Sequence, residues 1–320
     1  MLKAYACDAN RLVPLPLEEA GRALWFDLED PAPEHYEFVT RHTGLTLPSY
    51  ANLSEIEASS RLGVDGPVLT LSLPIVTRNN GALESGVCGF VLSPDRLVTL
   101  RFAPSTIFTQ FPTQPHSTAE HAPAYLFVEL LEVIVDRQAD ALERLREELD
   151  QLSQRIFHPR LTGDMRQRHA ETELQAMLVT LGRGYNSISF LRDSQLGVAR
   201  IAPYVLSMVN WLPKPVVARL KSVAKDVSSL NEYSTHLTDK VQFLQDSTLG
   251  LINIAQNSLI KVLTVVSIVG IPPTLIAGIY GMNFHDIPEL SWRYGYGYAW
   301  ALMILSAVLP LAWFRKKGWI

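Results

Sequence analysis

Near its C-terminus the chain carries two apolar stretches, residues 262–280 and 296–314, and neither holds a formal charge. A bilayer's hydrocarbon core is roughly 30 Å thick, and a helix needs about 20 consecutive apolar residues to cross it. Each stretch meets that length. Only a helix or a closed barrel satisfies its own backbone hydrogen bonds where there is no water. The chain is therefore expected to be a membrane protein that ends in an antiparallel helical hairpin, because residues 281–295 are too few for a domain. Lys and Arg near span ends stay on the cytoplasmic side. Lys261 precedes the first stretch, and Arg315, Lys316 and Lys317 follow the second. Both termini are thus expected in the cytoplasm, with the loop that bears Asp286, Glu289 and Arg293 outside. No signal peptide is expected, since Met1-Leu2-Lys3-Ala4-Tyr5 leads into no apolar segment.

Everything upstream has to be water-soluble. Residues 2–7, 23–28, 68–76, 86–92 and 96–102 are rich in β-branched or apolar residues and bounded by Gly, Pro and Asp, so they read as strands. Asp30-Pro31-Ala32-Pro33-Glu34 starts a short helix, with Pro in the first turn where a missing N–H costs nothing. From Pro123 the apolar period lengthens to that of a helix: Leu126, Leu130, Ile134, Leu142, Leu145, Leu149, Leu152 and Ile156 recur at three- and four-residue steps as far as Phe157-His158-Pro159. A second helix is expected over 164–192, and a third from near Pro215. That third segment has no breaker before Gly250 and enters the first apolar stretch with no loop, so stalk and span read as one helix. Cys7 and Cys88 fall in the part expected to be cytoplasmic, where thiols stay reduced, and no disulfide is expected.

The first span has two unlike faces. Stepping about 100° per residue, Asn253, Asn257, Ile260, Thr264, Ser267, Ile271, Thr274 and Gly278 share an arc of roughly 100°, and every Ser and Thr of the span lies on it. Val262, Val265, Val266, Ile268, Val269, Ile276 and Ile279 face the other way. Small polar residues also mark helix–helix packing, but Asn253 and Asn257 extend the stripe below the membrane, which suits a water-facing pore wall. Ile260, Leu263 or Thr264, and Ile271 would be its narrow rings. Two helices cannot enclose a pore, so several copies must set the same stripe around an axis.

Tyr280-Gly281-Met282-Asn283 closing the first span, Pro272-Pro273-Thr274-Leu275 within it, Ile287-Pro288-Glu289-Leu290 in the loop, and the basic, Trp-containing segment 315–320 together resemble the CorA family of magnesium channels. The resemblance is dense over residues 250–320 and one of layout upstream. It departs at Ile287, where many members carry Met. Zinc-transporting relatives share Gly-Met-Asn, whereas Pro-Glu-Leu and Pro-Pro-Thr favour the magnesium branch. The resemblance implies an α+β membrane protein assembled as a homopentameric funnel in a bacterial inner membrane. It further implies an N-terminal α/β cytoplasmic domain (1–122), acidic helices (123–213), a stalk (214–261) continuous with a pore-lining span (262–280), an external loop (281–295), a second span (296–314) and a basic cytoplasmic tail (315–320). Its activity would be passive influx of hydrated Mg2+, with Co2+ and Ni2+ as further cargo, driven by the membrane potential and closed by cytoplasmic Mg2+. Asn283 would be the selectivity residue, with Gly281 and Met282 shaping the turn around it. A ring of amide oxygens suits an ion that gives up its water reluctantly. Gly281 and Asn283 are also residue types that end helices in the left-handed conformation.

Asp286 and Glu289 could gather cations at the mouth, though a loop carboxylate is ordinarily just solvated, and His285 is a weak ligand candidate. The eight histidines show no zinc-site spacing. Between Glu129 and Asp150 acidic residues outnumber basic ones, a pattern that usually marks a solvated face held by pairs such as Asp140 with Arg144. In the family, cytoplasmic carboxylates between subunits bind Mg2+ and hold the channel shut. Asp140, Asp226 and Asp239 are the candidates here. Two other readings stand beside this one: zinc transport, and a membrane-anchored coiled-coil scaffold or sensor, which would need no aligned hydroxyls. There is no phosphate loop, nucleophile elbow or ligand cluster, so no enzyme, organic cofactor or nucleic-acid partner is expected. Two charges moving down 100 mV yield about 4.6 kcal/mol, enough to drive uptake without ATP.

Overall fold

The computed structural model describes residues 1–8, 11–55, 61–79, 82–116, 122–157, 166–283 and 287–319. The chain falls into two compact units, Met1–Pro159 with Met177–Gln245, and Arg160–Ala176 with Asp246–Ile320. The first unit is built on a seven-stranded sheet of β1 (Leu2–Asp8), β2 (Arg11–Leu15), β3 (Trp25–Glu29), β4 (Leu62–Asp65), β5 (Val68–Asn79), β6 (Ala82–Leu92) and β7 (Leu97–Arg101), in the order β2-β1-β3-β7-β6-β5-β4. All neighbours are antiparallel except β3 and β7, which run parallel with Phe26 opposite Val98. The five strands read from sequence are all present. The two that were missed are the sheet's edges, β2 and β4. Each is short, and Pro14 in β2 and Gly63 in β4 interrupt the apolar alternation that marks a strand. Pro is tolerated there because an outer edge needs no ladder N–H.

Side-chain alternation divides the sheet's two faces. Phe26, Leu28, Val91, Val98 and Leu100 pack with Val39 of α1 (Pro33–Thr43) and Leu53 of α2 (Tyr50–Ser54). Trp25, Leu71, Leu73, Phe90 and Leu97 face the other way. They pack on Phe127, Leu130 and Ile134 of α4 (Ala122–Phe157), Val198, Ile201 and Val205 of α5 (Arg166–Met208), and Val216, Leu220 and Val223 of α6 (Lys214–Tyr280). A helix–sheet–helix sandwich results. Its apolar side chains each stabilise the fold by about 1.5–3 kcal/mol on burial. Short α3 (Thr106–Gln110) links β7 towards α4.

The second helix runs well past Arg192, to Met208. Ser194 and Gln195, polar residues that weaken the apparent apolar period, are fully buried. Gln138 Nε2 of α4 donates to Ser194 Oγ at 2.8 Å, and Ser234 Oγ of α6 donates to Gln195 Oε1 at 3.0 Å. Gly197 lets α5 lie against β5, for a Cβ there would stand 2.8 Å from that of Leu73.

One buried polar group sits on the helix-covered face. Arg101, 1% exposed, donates to Asp27 through Nη2 at 2.9 Å and to Glu29 at 3.0 Å, and Thr99 Oγ1 donates to Asp27 Oδ1 at 2.8 Å. Trp25 Nε1 donates in turn to Thr99 Oγ1. Burial pulls the Arg101 pKa down, and the hydrogen-bonded charges of Asp27 and Glu29 more than offset it, leaving it raised.

The second unit contains the rest of α6, a 3-10 turn at Pro288–Ser291 and α7 (Gly295–Lys316). Both helices are long and apolar enough to cross a membrane, and the apolar window of α6 is 0% buried within the chain. Leu263 and Ile271 of α6 and Leu305 of α7 are exposed. The turn is fixed against the start of α7 by Gly295, where a Cβ would meet the Glu289 carbonyl oxygen at 2.1 Å.

Candidate ion pathway and cation sensor

The polar stripe lies on the C-terminal part of α6. Ser267, Ile271, Thr274 and Gly278 line one open groove of about 740 Å3 with Gly270, Leu275 and Met282, and also with Val266 and Ile279, which the sequence had put on the other face, so the groove's wall is apolar as well as polar. Asn257, Ile260, Leu263 and Thr264 precede it on the same helix, and all but half-exposed Thr264 are exposed. Thr264 Oγ1 donates to the Ile260 carbonyl at 2.7 Å and Thr274 Oγ1 to that of Gly270 at 2.9 Å. With their protons committed to the helix, these hydroxyls present acceptor lone pairs outward. Acceptors are what the water shell of a cation requires. Pro272 and Pro273 have no N–H, so the Ile268 and Val269 carbonyls lose their helical partners.

At the mouth the helix closes at Tyr280, with Gly281 N–H donating to the Ala277 carbonyl at 2.9 Å and Met282 N–H to that of Ile279 at 3.2 Å. The left-handed conformation in which Gly and Asn often end helices, the alternative account of Gly281 and Asn283, does not occur. Among the described residues positive φ is confined to Asp30, Gly44, Gly66 and Gly318. Gly281 is instead placed where space is short, since a Cβ would lie 3.1 Å from the Ala277 oxygen. Met282 and Asn283 follow this turn, exposed. Glu289 is half-buried in the 3-10 turn, whereas Asp286 and His285 lie outside the described residues. Trp292, Tyr294, Tyr296, Tyr298 and Trp300 crowd the start of α7, where an aromatic belt would meet the membrane–water boundary.

In the first unit, packing of α4 against α6 brings Asp140 and Asp226 within electrostatic reach of a third carboxylate that sequence reasoning had passed over. Asp136 is pushed above the usual carboxylate range, first by burial and then by Glu132, Asp140 and Asp226. Asp239 is not among its neighbours. Among the described residues no Asp140–Arg144 ion pair is formed; towards its C-terminal end the acidic helix pairs Arg146 with Asp150, at 3.6 Å, and Lys240 of α6 with the same Asp150. Arg219 of α6 reaches back to α4, where its Nε donates to Glu132 at 2.8 Å and its Nη1 to Glu129 at 3.3 Å. His116 Nδ1 meets the other Glu129 oxygen at 2.8 Å. Among the described residues no three His, Cys, Asp or Glu side chains stand close enough to ligate a metal directly. A single chain therefore supplies clustered negative charge rather than a closed coordination shell. The signal for this cluster was present in the sequence only as acidic residues on two helices whose register could not be read.

Fold and site together define an integral membrane protein in which one helix is shared by a sheet-and-helix unit and a two-span hydrophobic unit. The chain belongs to the CorA-like Mg2+ transporter family, whose pattern matches residues 20–316. It is 32% identical over 330 residues to the magnesium transport protein CorA of Yersinia pseudotuberculosis and 31% identical to that of Escherichia coli K12, in each case over 100% of both chains. The complete structure of the CorA magnesium transporter from Methanocaldococcus jannaschii matches with a TM-score of 0.74 at 20% identity, covering 100% of this chain and 99% of that one. The full-length CmaX protein matches with a TM-score of 0.69 at 16% identity, covering 100% and 98%. These two likenesses show the same fold. The expected α+β membrane architecture is thereby established, as is membership of a family of transporters rather than enzymes.

Proposed function

We propose that this member of the Mg2+ transporter family is a passive channel, a homopentamer that admits hydrated Mg2+ along the α6 stripe and is closed by Mg2+ on its cytoplasmic carboxylates. The observation that carries this reading is that a single unbroken helix, Lys214–Tyr280, bears both Asp226 and the groove of Ser267, Ile271, Thr274 and Gly278. Residues 262–280 and 296–314 span the bacterial inner membrane with both termini cytoplasmic. Asn283 selects by accepting hydrogen bonds from the ion's water shell, and Ile260, Leu263 and Ile271 form apolar rings that can close by dewetting. The driving force is the membrane potential, about 4.6 kcal/mol for two charges at 100 mV.

Closure follows from electrostatics. Asp136, Asp140, Asp226 and Glu132 repel one another, and a bound cation removes that repulsion and favours whichever arrangement brings them closest. The ion shifts the equilibrium only by its differential affinity for the closed state. Uptake into liposomes containing the purified protein tests this, comparing Mg2+, Zn2+ and Co2+ at fixed potential with and without internal Mg2+. Mg2+ influx that falls as internal Mg2+ rises supports the reading. EDTA should raise protease sensitivity of the first unit, and millimolar Mg2+ should reverse it. Identical digestion and flux under both conditions would remove the sensor from the carboxylates, and Zn2+ flux without Mg2+ flux would replace the cargo.

A further inference from the structure

A polar layer crosses the helical core of the first unit. Gln138 of α4, Ser194 and Gln195 of α5 and Ser234 of α6 are each at most 3% exposed. Half-buried Asn231 stands one turn before Ser234, with its Oδ1 buried. The turns on either side are apolar: Ile134 and Leu142, Leu191 and Val198, and Val227 and Leu237 are all buried. Ser194 and Gln195 are adjacent and so stand about 100° apart around α5, which lets one meet α4 and the other α6. Gln138 Nε2 donates to Ser194 Oγ, and Ser234 Oγ donates to Gln195 Oε1.

The layer is only half satisfied. Gln138 Oε1, Gln195 Nε2 and Asn231 Oδ1 have no hydrogen-bond partner among the described residues, and none has surface that solvent reaches. Buried polar atoms are nearly always paired, so each exception calls for a cause. Reversing the carboxamides does not supply one. With Gln138 turned over, Ser194 donates to its oxygen and the NH2 is stranded; with Gln195 turned over, its NH2 donates to Ser234 and its oxygen is stranded. The unmet groups are nevertheless complementary. The Gln195 NH2 carries two donors, and the two oxygens that lack a donor lie on α4 and α6, the helices that α5 already meets in this layer. Apolar turns fit several registers because their contacts have no direction, whereas hydrogen bonds select one. A complete polar layer locks a bundle; one whose missing partners are complementary leaves a second register available.

We propose that this layer is a two-position register between α5 and the pair α4 and α6. In the position seen, Gln195 is bonded to Ser234. In the other, a small rotation or slide of α5 takes the Gln195 amide to Gln138 Oε1 and Asn231 Oδ1, exchanging one hydrogen bond for two, and the freed Ser234 hydroxyl turns to a carbonyl of its own helix. The register rests on the sensor reading given above and supplies what the ion moves. Gln138 lies between Asp136 and Asp140 on α4, and Asn231 and Ser234 follow Asp226 on α6 towards the span. A cation that draws these carboxylates together shifts α4 against α6 at the turns that hold the layer, and it biases the register by its differential affinity for the two positions.

Two mild substitutions in the full-length protein, in detergent and in liposomes, separate the positions. Ser234→Ala removes a bond made only in the position seen, and Asn231→Ala removes an acceptor used only in the other. The Mg2+ concentration that half-inhibits flux should move by about threefold or more, in opposite directions in the two variants, and return close to its original value when they are combined. Amide hydrogen exchange over residues 188–240 at fixed Mg2+ reads the register without flux, and it should also shift in opposite directions. A layer that merely stabilises the bundle would give two shifts of the same sign. Gln195→Met removes the amide that both positions use, so in its presence neither alanine change should move the half-inhibiting concentration; shifts that survive it overturn the register. Same-sign shifts, or none, beside normal inhibition by Mg2+ also overturn the register and leave the sensor standing. Opposite shifts in exchange, with neither exchange nor flux responding to Mg2+ in the unmodified chain, keep the register and sink the sensor.

Discussion

The two units of this chain obey opposite rules. In the first, Leu71, Phe90 and Leu130 are fully buried, and the charges that enter the core, Asp27 and Arg101, enter together. In the second, Leu263, Ile271 and Leu275 are more than 60% exposed, and the Ser and Thr residues of 262–280 fall on one stripe of one helix. Water drives apolar surface inward in one case, and lipid makes that surface costless to leave outside in the other. The comparison shows where a polar residue signals function. In the first unit a buried charge is usually answered by its partner, and its removal damages the fold. On the stripe the hydroxyls of Thr264 and Thr274 donate to their own helix, and it is the proposed function that gives the acceptors they present to a passing ion.

The largest effect should come from Asn283→Ala. Mg2+ flux should fall to a few per cent of the unmodified rate while the oligomer still assembles, as read by liposome uptake and size-exclusion chromatography. Flux at the original rate would show that the exposed amide is not the selecting group. Arg101→Met should have the opposite signature. It strands Asp27 at 2% exposure, an uncompensated buried charge worth about 3–5 kcal/mol, visible in denaturant titration followed by tryptophan fluorescence. The double change with Asp27→Leu should recover most of the loss, and ion preference should be unaltered in protein that folds. If Arg101→Met altered selectivity and left stability intact, the contrast between the units would collapse.

A smaller effect is expected from Ile271→Ser. A hydroxyl in an apolar ring should wet it and raise resting leak severalfold; unchanged leak would turn this residue towards lipid. The smallest effects concern two solvent-accessible carboxylates whose pKa shifts run in opposite directions. Lys240 holds Asp150 below the usual carboxylate range, so its contribution is present above about pH 4 and disappears as pH falls through the lowered value. Asp136 is held above that range, so its charging is a cost, absent at low pH and felt once pH rises past the raised value. At neutral pH Asp150→Asn should therefore slightly destabilise the first unit and Asp136→Asn slightly stabilise it, each by little because solvent screens both. Thermal shifts of the same sign for the two variants would contradict the assignment.

Much of this was legible in the chain because some patterns are local. All eight apolar residues that marked the first long helix, from Leu126 to Ile156, are buried, and the spans announce themselves by length and lack of charge. What escaped was set by residues distant in sequence. Nothing near Ser194 reveals that Gln138, 56 residues away, will satisfy it and let the helix continue to Met208. Likewise Asp136 reads as one more solvated acid until α4 and α6 are set side by side. The edge strands escaped for another reason: an outer strand need satisfy only one neighbour, so β2 and β4 carry a weaker pattern than the strands between them. Of the two accounts of the Gly-Met-Asn turn, the left-handed helix end is absent, and a tight approach to the Ala277 oxygen at Gly281 is a feature that only the folded backbone reveals.

Pro272 and Pro273 have a mechanical meaning. A helix resists bending through its ladder of hydrogen bonds, and two consecutive rungs are missing at Ile268 and Val269, one turn below these prolines. Stress carried along Lys214–Tyr280 is relieved where the rod is most compliant, and that place adjoins Ser267, Ile271 and Thr274. On the proposed reading of this stripe as a pore wall, the passage is lined at its weakest point, so that a small tilt in the lower half of the helix would change the bore without any turn of the chain having to unfold.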